Sequence, residues 1–213
     1  MRQATLYFLA FVSGAVVMSY EMLAMRALGA DFGSSVIVTG ATISVFLAGL
    51  AAGYFLGGQL ADRWPTFLGL AIVLAVPALL LACYPLYGKA LLSAVFYCFE
   101  RSLAADQSSL MGPLVAATCI CGLPTIFLGA VSPYAVRLLV RDAAHVGRGA
   151  GSLYALSTVG SIVGTIGTTF YLILWLGTQH GILLMGGILA ALAVIALVLH
   201  VVRRPPDPAG EEH

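Results

Sequence analysis

The chain has 213 residues, of which 61% are hydrophobic and 9% charged, against roughly a quarter charged in soluble domains. That composition excludes an ordinary soluble domain and points to a membrane protein. With a net charge of +1 and no basic patch outside short loops, a nucleic-acid partner is excluded too, and partners are expected in the bilayer or at its surface. Four cysteines, Cys83, Cys98, Cys119 and Cys121, show neither Cys-x-x-Cys spacing nor companion histidines. They read as small residues filling helix contacts, so neither a metal nor a cofactor is expected.

The first apolar run begins at Ala4, and its length and its internal Glu21 argue for a span over about 4–25 rather than a cleaved signal. A polar link with Arg26 and Asp31 leads to a second span over about 35–60, more than the ~20 residues needed to cross. Within it Gly49, Gly53 and Gly57 recur every four residues, which leaves one helix face bare for close approach by another backbone. Asp62, Arg63 and Pro65 make a turn, and a third span over about 66–86 follows with Pro77 as a tolerated kink.

From Tyr87 the pattern changes. Leu91, Leu92, Val95, Phe96, Phe99 and Leu103 share one helical stripe while Lys89, Glu100, Arg101 and Asp106 lie off it, which predicts an amphipathic interfacial helix over about 89–104. The fourth span, about 111–139, is punctuated by Pro113, Pro124 and Pro133 and is expected to bend or partly unwind; this reads either as backbone carbonyls turned toward a cavity or as kinks without function. A loop with Arg137, Arg141 and Arg148 precedes a fifth span over about 149–176, whose Gly160 and Gly164 belong to a second small-residue face. A sixth span over about 181–202 ends at Arg203 and Arg204, and 205–213 reads as a short disordered tail.

Six spans gather Arg2, Arg63, Arg137, Arg141, Arg148, Arg203 and Arg204 on one side and Arg26, Lys89 and Arg101 on the other. The basic majority marks the cytoplasm, so both termini are expected there. Cys83 and Cys98 then share the outer side, which allows a disulfide between them. The fold class is therefore an all-α polytopic bundle of six transmembrane helices.

Three groups of residues stand out. Glu21 lies inside the first span, where an acid costs a few kcal/mol and should face the bundle. With Tyr20 beside it, it reads either as a site for a cation or proton or as a structural hydrogen bond locking the helix, with Arg101 or a bound cation as partner. Asp62 and Arg63, at a helix end, read either as a latch to Arg137 or Arg141 or as a plain turn. The faces of Gly49, Gly53, Gly57, Gly160 and Gly164 read as packing surfaces or as an interface to a second copy or a foreign subunit.

Tyr20-Glu21, Phe32-Gly33-Ser34-Ser35, Phe46-Leu47-Ala48-Gly49-Leu50-Ala51-Ala52-Gly53 and Gly57-Gly58-Gln59-Leu60-Ala61-Asp62-Arg63 resemble the membrane half of bacterial fused spermidine synthase-like proteins, as do Leu128 to Pro133 and Gly147 to Ala155. More loosely, the Gly-x-Leu-Ala-Asp-Arg turn is similar to a loop signature of major facilitator transporters, although its further basic residues are missing after Trp64. The resemblance implies half of a facilitator-like fold in a bacterial inner membrane. In the fused family a soluble aminopropyltransferase-like domain follows the helices. No Gly-rich turn or βαβ unit follows here, so the chain is expected not to be an enzyme. The leading expectation is a non-catalytic membrane module that docks a separate subunit or complex. The alternatives are a half-facilitator, dimeric, moving a small cation such as a polyamine through Glu21, and a structural accessory subunit of a respiratory or photosynthetic assembly.

Overall fold

Inside hydrocarbon each backbone N–H and C=O must find its partner within its own segment, and helices are what an apolar chain of this kind forms. The computed structural model describes residues 2–102, 105–139 and 146–202, with backbone only for residues 2, 99–102, 105–110 and 146. The described residues are helical almost throughout: α1 (Arg2–Phe32), α2 (Val36–Arg63), α3 (Phe67–Ser102), α4 (Ala105–Ala117), α5 (Leu123–Leu139), α6 (Val146–Gly167), α7 (Ile173–Trp175) and α8 (Gly177–Val202). A π turn at Thr118–Gly122 joins α4 to α5, and another at Thr168–Leu172 joins α6 to α7. Six helical stretches are long and apolar enough to cross a membrane: Gln3–Phe32, Val36–Arg63, Phe67–Cys98, Met111–Leu139, Gly147–Trp175 and Gly177–Val202. This is a multi-pass membrane protein.

Tight local chemistry reverses the chain between spans. Gly33 and Gly177 adopt positive φ values of 83° and 70°, which side-chain-bearing residues rarely accept. Ser35 caps α2 by accepting from the Val38 N–H, and the Trp64 N–H closes its other end on the Leu60 carbonyl.

The spans associate as three pairs: first with fifth, second with fourth, third with sixth. Glycine makes the first two pairs meet backbone to backbone. A Cβ on Gly160 would strike the Phe11 carbonyl, one on Gly164 the Ala15 carbonyl, and one on Gly14 the Ser157 carbonyl. Across the other pair, a Cβ on Gly53 would strike the Ile126 carbonyl, one on Gly57 would come within 2.5 Å of the Ala130 Cα, and one on Gly49 would press on Thr125. Both predicted glycine faces are therefore filled by helices of the same chain, and neither is left for a partner. The Ser161 and Ser19 hydroxyls donate across the first pair to the Gly14 and Gly164 carbonyls at 3.1 and 3.2 Å.

Two expectations need correction. The stretch over 89–104 is not a separate interfacial helix, because α3 runs unbroken for 36 residues to Ser102. At 1.5 Å per residue that is about 54 Å, longer than the ~30 Å hydrocarbon layer, so its end stands beyond the membrane core. The amphipathic stripe finds its apolar partners inside the chain: Leu92 is buried, Leu91 and Val95 pack on the core, and Phe96 meets Phe32 edge-on at 5.6 Å. Cys83 and Cys98 are free. Fifteen positions apart along one continuous helix, they are separated by about 22 Å of rise, far beyond disulfide reach. The tail over 205–213 lies outside the described residues.

The glycine contacts can be tested against glycines that touch nothing. Gly53→Ala and Gly164→Ala are expected to lower thermal stability in detergent, by about 1–3 kcal/mol each, as overpacking does. Gly58→Ala and Gly187→Ala, where a Cβ meets no atom within 4 Å, are expected to be neutral or mildly stabilising. Equal melting temperatures for all four variants would contradict the close-contact reading.

Candidate functional site in the membrane interior

Pro124 sets the site in place. Lacking an N–H, it cannot donate to the carbonyl four residues earlier, which belongs to Ile120 inside the π turn Thr118–Gly122. The buried Tyr20 hydroxyl of α1 takes over and donates to that carbonyl at 3.1 Å. Tyr20 is held from the side by Phe46 of α2, ring centroids 5.4 Å apart. The expected unwinding of the fourth span is thus a local π turn, and its freed carbonyl is spent on a neighbouring helix.

Cys121, next in the turn, interacts with the Tyr20 hydroxyl and lies within electrostatic reach of Glu21. Glu21 itself is 9% exposed, and among the described residues it has neither a hydrogen bond nor an ion pair. The anticipated partner Arg101 has its side chain outside the described residues.

Glu21 also lies on the face of α1 that lines a cleft one to two turns away. Ser13, Gly14, Val17 and Met18 of α1 line a cleft of about 100 Å³ together with Leu50 and Tyr54 of α2, Leu128 and Ser132 of α5, and Ser157 and Ser161 of α6. Positions 14, 17, 18 and 21 follow the three- and four-residue spacing of one helix face. On the fourth span Cys121, Leu128 and Ser132 fall seven and four residues apart in the same way, so the two stripes run alongside each other. The Ser13 hydroxyl is tied to the Ala10 carbonyl at 3.1 Å, and Tyr54 and Tyr154 interact electrostatically across the second and fifth spans.

The second predicted constellation forms in part. Arg137 Nε donates to Asp62 Oδ1 at 2.9 Å, joining the turn after α2 to the end of α5. With side chains 48% and 73% exposed, the pair contributes at most about 1 kcal/mol. The Tyr134 hydroxyl donates to the Trp64 carbonyl and stitches the same turn. Arg63 points elsewhere, lining a separate pocket with Gln59, Leu60 and Phe127. Arg141 lies outside the described residues.

Comparisons with protein-family models, with curated proteins and with solved structures give no match.

Sequence reasoning singled out Glu21 and Tyr20 but missed Cys121 beside them and the cleft farther along α1 that Ser13, Ser132 and Tyr54 line. The signal was the shared helical register of Ser13, Val17 and Glu21. It acquires meaning only once the fourth span is known to run beside the first.

Because Glu21 contributes no described hydrogen bond, neutralising it is expected to cost the fold nothing. Glu21→Gln should melt at or above the wild-type temperature in detergent, whereas Tyr20→Phe should lose about 1 kcal/mol by orphaning the Ile120 carbonyl. A large destabilisation by Glu21→Gln would mark the carboxylate as a structural lock.

Proposed function

We propose that the protein is a non-catalytic membrane module of the spermidine synthase-like kind, which works by docking a separate membrane-embedded subunit in a bacterial inner membrane, with both termini cytoplasmic. The observation that carries this reading is the serine-lined cleft between the second and fifth spans. Polar groups inside a bilayer are normally covered by protein or water. The second and fifth spans bury only 33% and 17% of their most apolar stretches within the chain, less than any other span. Large side chains such as Tyr54, Phe55, Tyr154, Ile162 and Val163 stand exposed beside the cleft. A partner seated there would cover the hydroxyls and the apolar rim together.

A second reading, a half-facilitator that completes its pathway with another copy and moves a small cation, is favoured by one further observation. Glu21 is buried, has no ion pair or hydrogen bond among the described residues, and lies one turn from Val17 of the cleft wall. The pairing of spans lends it support as well: exchanging the first three spans with the last three turns the first–fifth pair into the fourth–second pair and leaves the third–sixth pair unchanged, as an inverted repeat would.

Photo-crosslinkers placed at Phe55 and Ile162 are expected to capture a distinct membrane protein in cells, whereas one at Leu79 on the opposite flank should capture none. Crosslinking only to a second copy, with cation uptake lost in Glu21→Gln, would favour the half-facilitator. No adduct at either position, with the chain monomeric in mild detergent, would reject both readings.

A further inference from the structure

At the end of the bundle opposite the Asp62 turn, a cavity of about 150 Å³ opens between α1, α3 and α8, lined by Arg26, Asp31, Tyr84, Lys89, Thr178 and Gln179 among others. By the measure that allots roughly 10–15 Å³ to one water, this holds on the order of ten waters or a small head group. Arg26 lies 23 residues beyond Gln3 and Lys89 lies 22 beyond Phe67, heights of about 35 and 33 Å. Both exceed the ~30 Å hydrocarbon layer, so the cavity sits at the level of lipid head groups.

Its wall carries charge of both signs, none of it paired. Among the described residues neither Arg26, Asp31 nor Lys89 makes an ion pair, and five positions separate Arg26 from Asp31 on α1, a spacing that does not bring two side chains face to face. The positive locus is Arg26, Lys89 and the start of α8, where Thr178 and Gln179 occupy a first turn without any acidic residue. There the free N–H groups and the helix dipole favour an anion. The negative locus is Asp31 at the end of α1, whose last turn has no basic residue and whose free carbonyls favour a cation. Tyr84 is 6% exposed, its hydroxyl has no hydrogen bond among the described residues, and it interacts electrostatically with Asp31. One cavity wall thus offers the hydroxyl of the buried Tyr84 together with an exposed carboxylate and two exposed cations.

From these juxtaposed loci we infer that the cavity binds a zwitterion bearing a phosphate and a primary ammonium: the phosphate between Arg26, Lys89 and the α8 N-terminus, the ammonium at Asp31 and Tyr84. An aminophospholipid head group supplies this chemistry at the right depth, and the apolar wall of Ala27, Pro85 and Leu92 accommodates the adjoining glyceride. A soluble phosphoethanolamine ester carries the same two groups. The site lies apart from the serine cleft and does not rest on the docking reading.

The test is native mass spectrometry of the full chain in detergent, titrated in separate arms with phosphatidylethanolamine, phosphatidylcholine, phosphatidylglycerol and water-soluble glycerophosphoethanolamine. Phosphatidylethanolamine is expected to bind about tenfold or more tightly than the other two lipids, as charge-assisted hydrogen bonds to a primary ammonium would produce. The double variant Arg26→Gln/Lys89→Gln should lose that binding, and Asp31→Asn should bind phosphatidylethanolamine and phosphatidylglycerol alike. These side chains are exposed, so unchanged melting temperatures are expected for both variants. Displacement of the lipid by glycerophosphoethanolamine at comparable affinity would support the same site with a soluble ligand. Equal binding of all three lipids to the wild type, or unchanged phosphatidylethanolamine binding in the double variant, would overturn the proposal.

Discussion

Backbone meets backbone along two helix pairs, and most of the architecture follows from that contact. Lipid tails are as apolar as the spans, so burial of apolar surface cannot by itself drive helices together in a bilayer. Close packing and hydrogen bonds across bare faces must do it. Gly160 and Gly164 on the fifth span and Gly53 and Gly57 on the second bring carbonyls and α-carbons of their neighbours to where a side chain would otherwise stand. Hydroxyl hydrogen bonds from Ser19 and Ser161 then cross the first–fifth seam. The third pair is formed differently, with Gly186 of α8 facing the Ala78 carbonyl and Ala82 beside an open apolar groove shared by α3 and α8.

Given those pairs, the polar groups of the interior fall into a line. Pro124 frees the Ile120 carbonyl, Tyr20 takes it, and the π turn that results puts Cys121 beside Tyr20 and Glu21. Farther along the same two helices come Ser13 and Ser132, with Ser157 and Ser161 contributed by the fifth span. The helices that flank this line are the two with the least of their own surface covered. A carboxylate with no partner among the described residues and a row of hydroxyls thus lie behind the two least covered helices. Charge at the two ends of the bundle is organised differently, as an exposed Asp62–Arg137 pair at one end and, at the other, as charges around a cavity that make no ion pair among the described residues.

Much of this was legible in the chain. Apolar length marked six spans because the hydrocarbon layer demands about twenty apolar residues of any crossing helix. Four-residue glycine spacing marked the faces that pack closely, and Glu21 stood out because acids inside spans are rare. Asp62 and Arg137 came together as an exposed ion pair. The helix over 89–104 was misread because amphipathic periodicity looks the same whether its apolar stripe lies on lipid or on protein. Leu92 and Phe96 turned out to have protein neighbours, so the helix continued instead of folding down.

What the sequence determined alone was local: that there are six spans, roughly where each lies, and which helix faces are smooth. Those properties depend on residues within a few positions of one another and on the bilayer as solvent. Which helix fills which smooth face, that Tyr20 reaches Ile120 a hundred residues away, and that Arg26, Asp31, Lys89 and the start of α8 surround one cavity were decided only by the tertiary structure. Bare glycine faces accept any helix that fits, and only the simultaneous packing of all six spans selects the pairs.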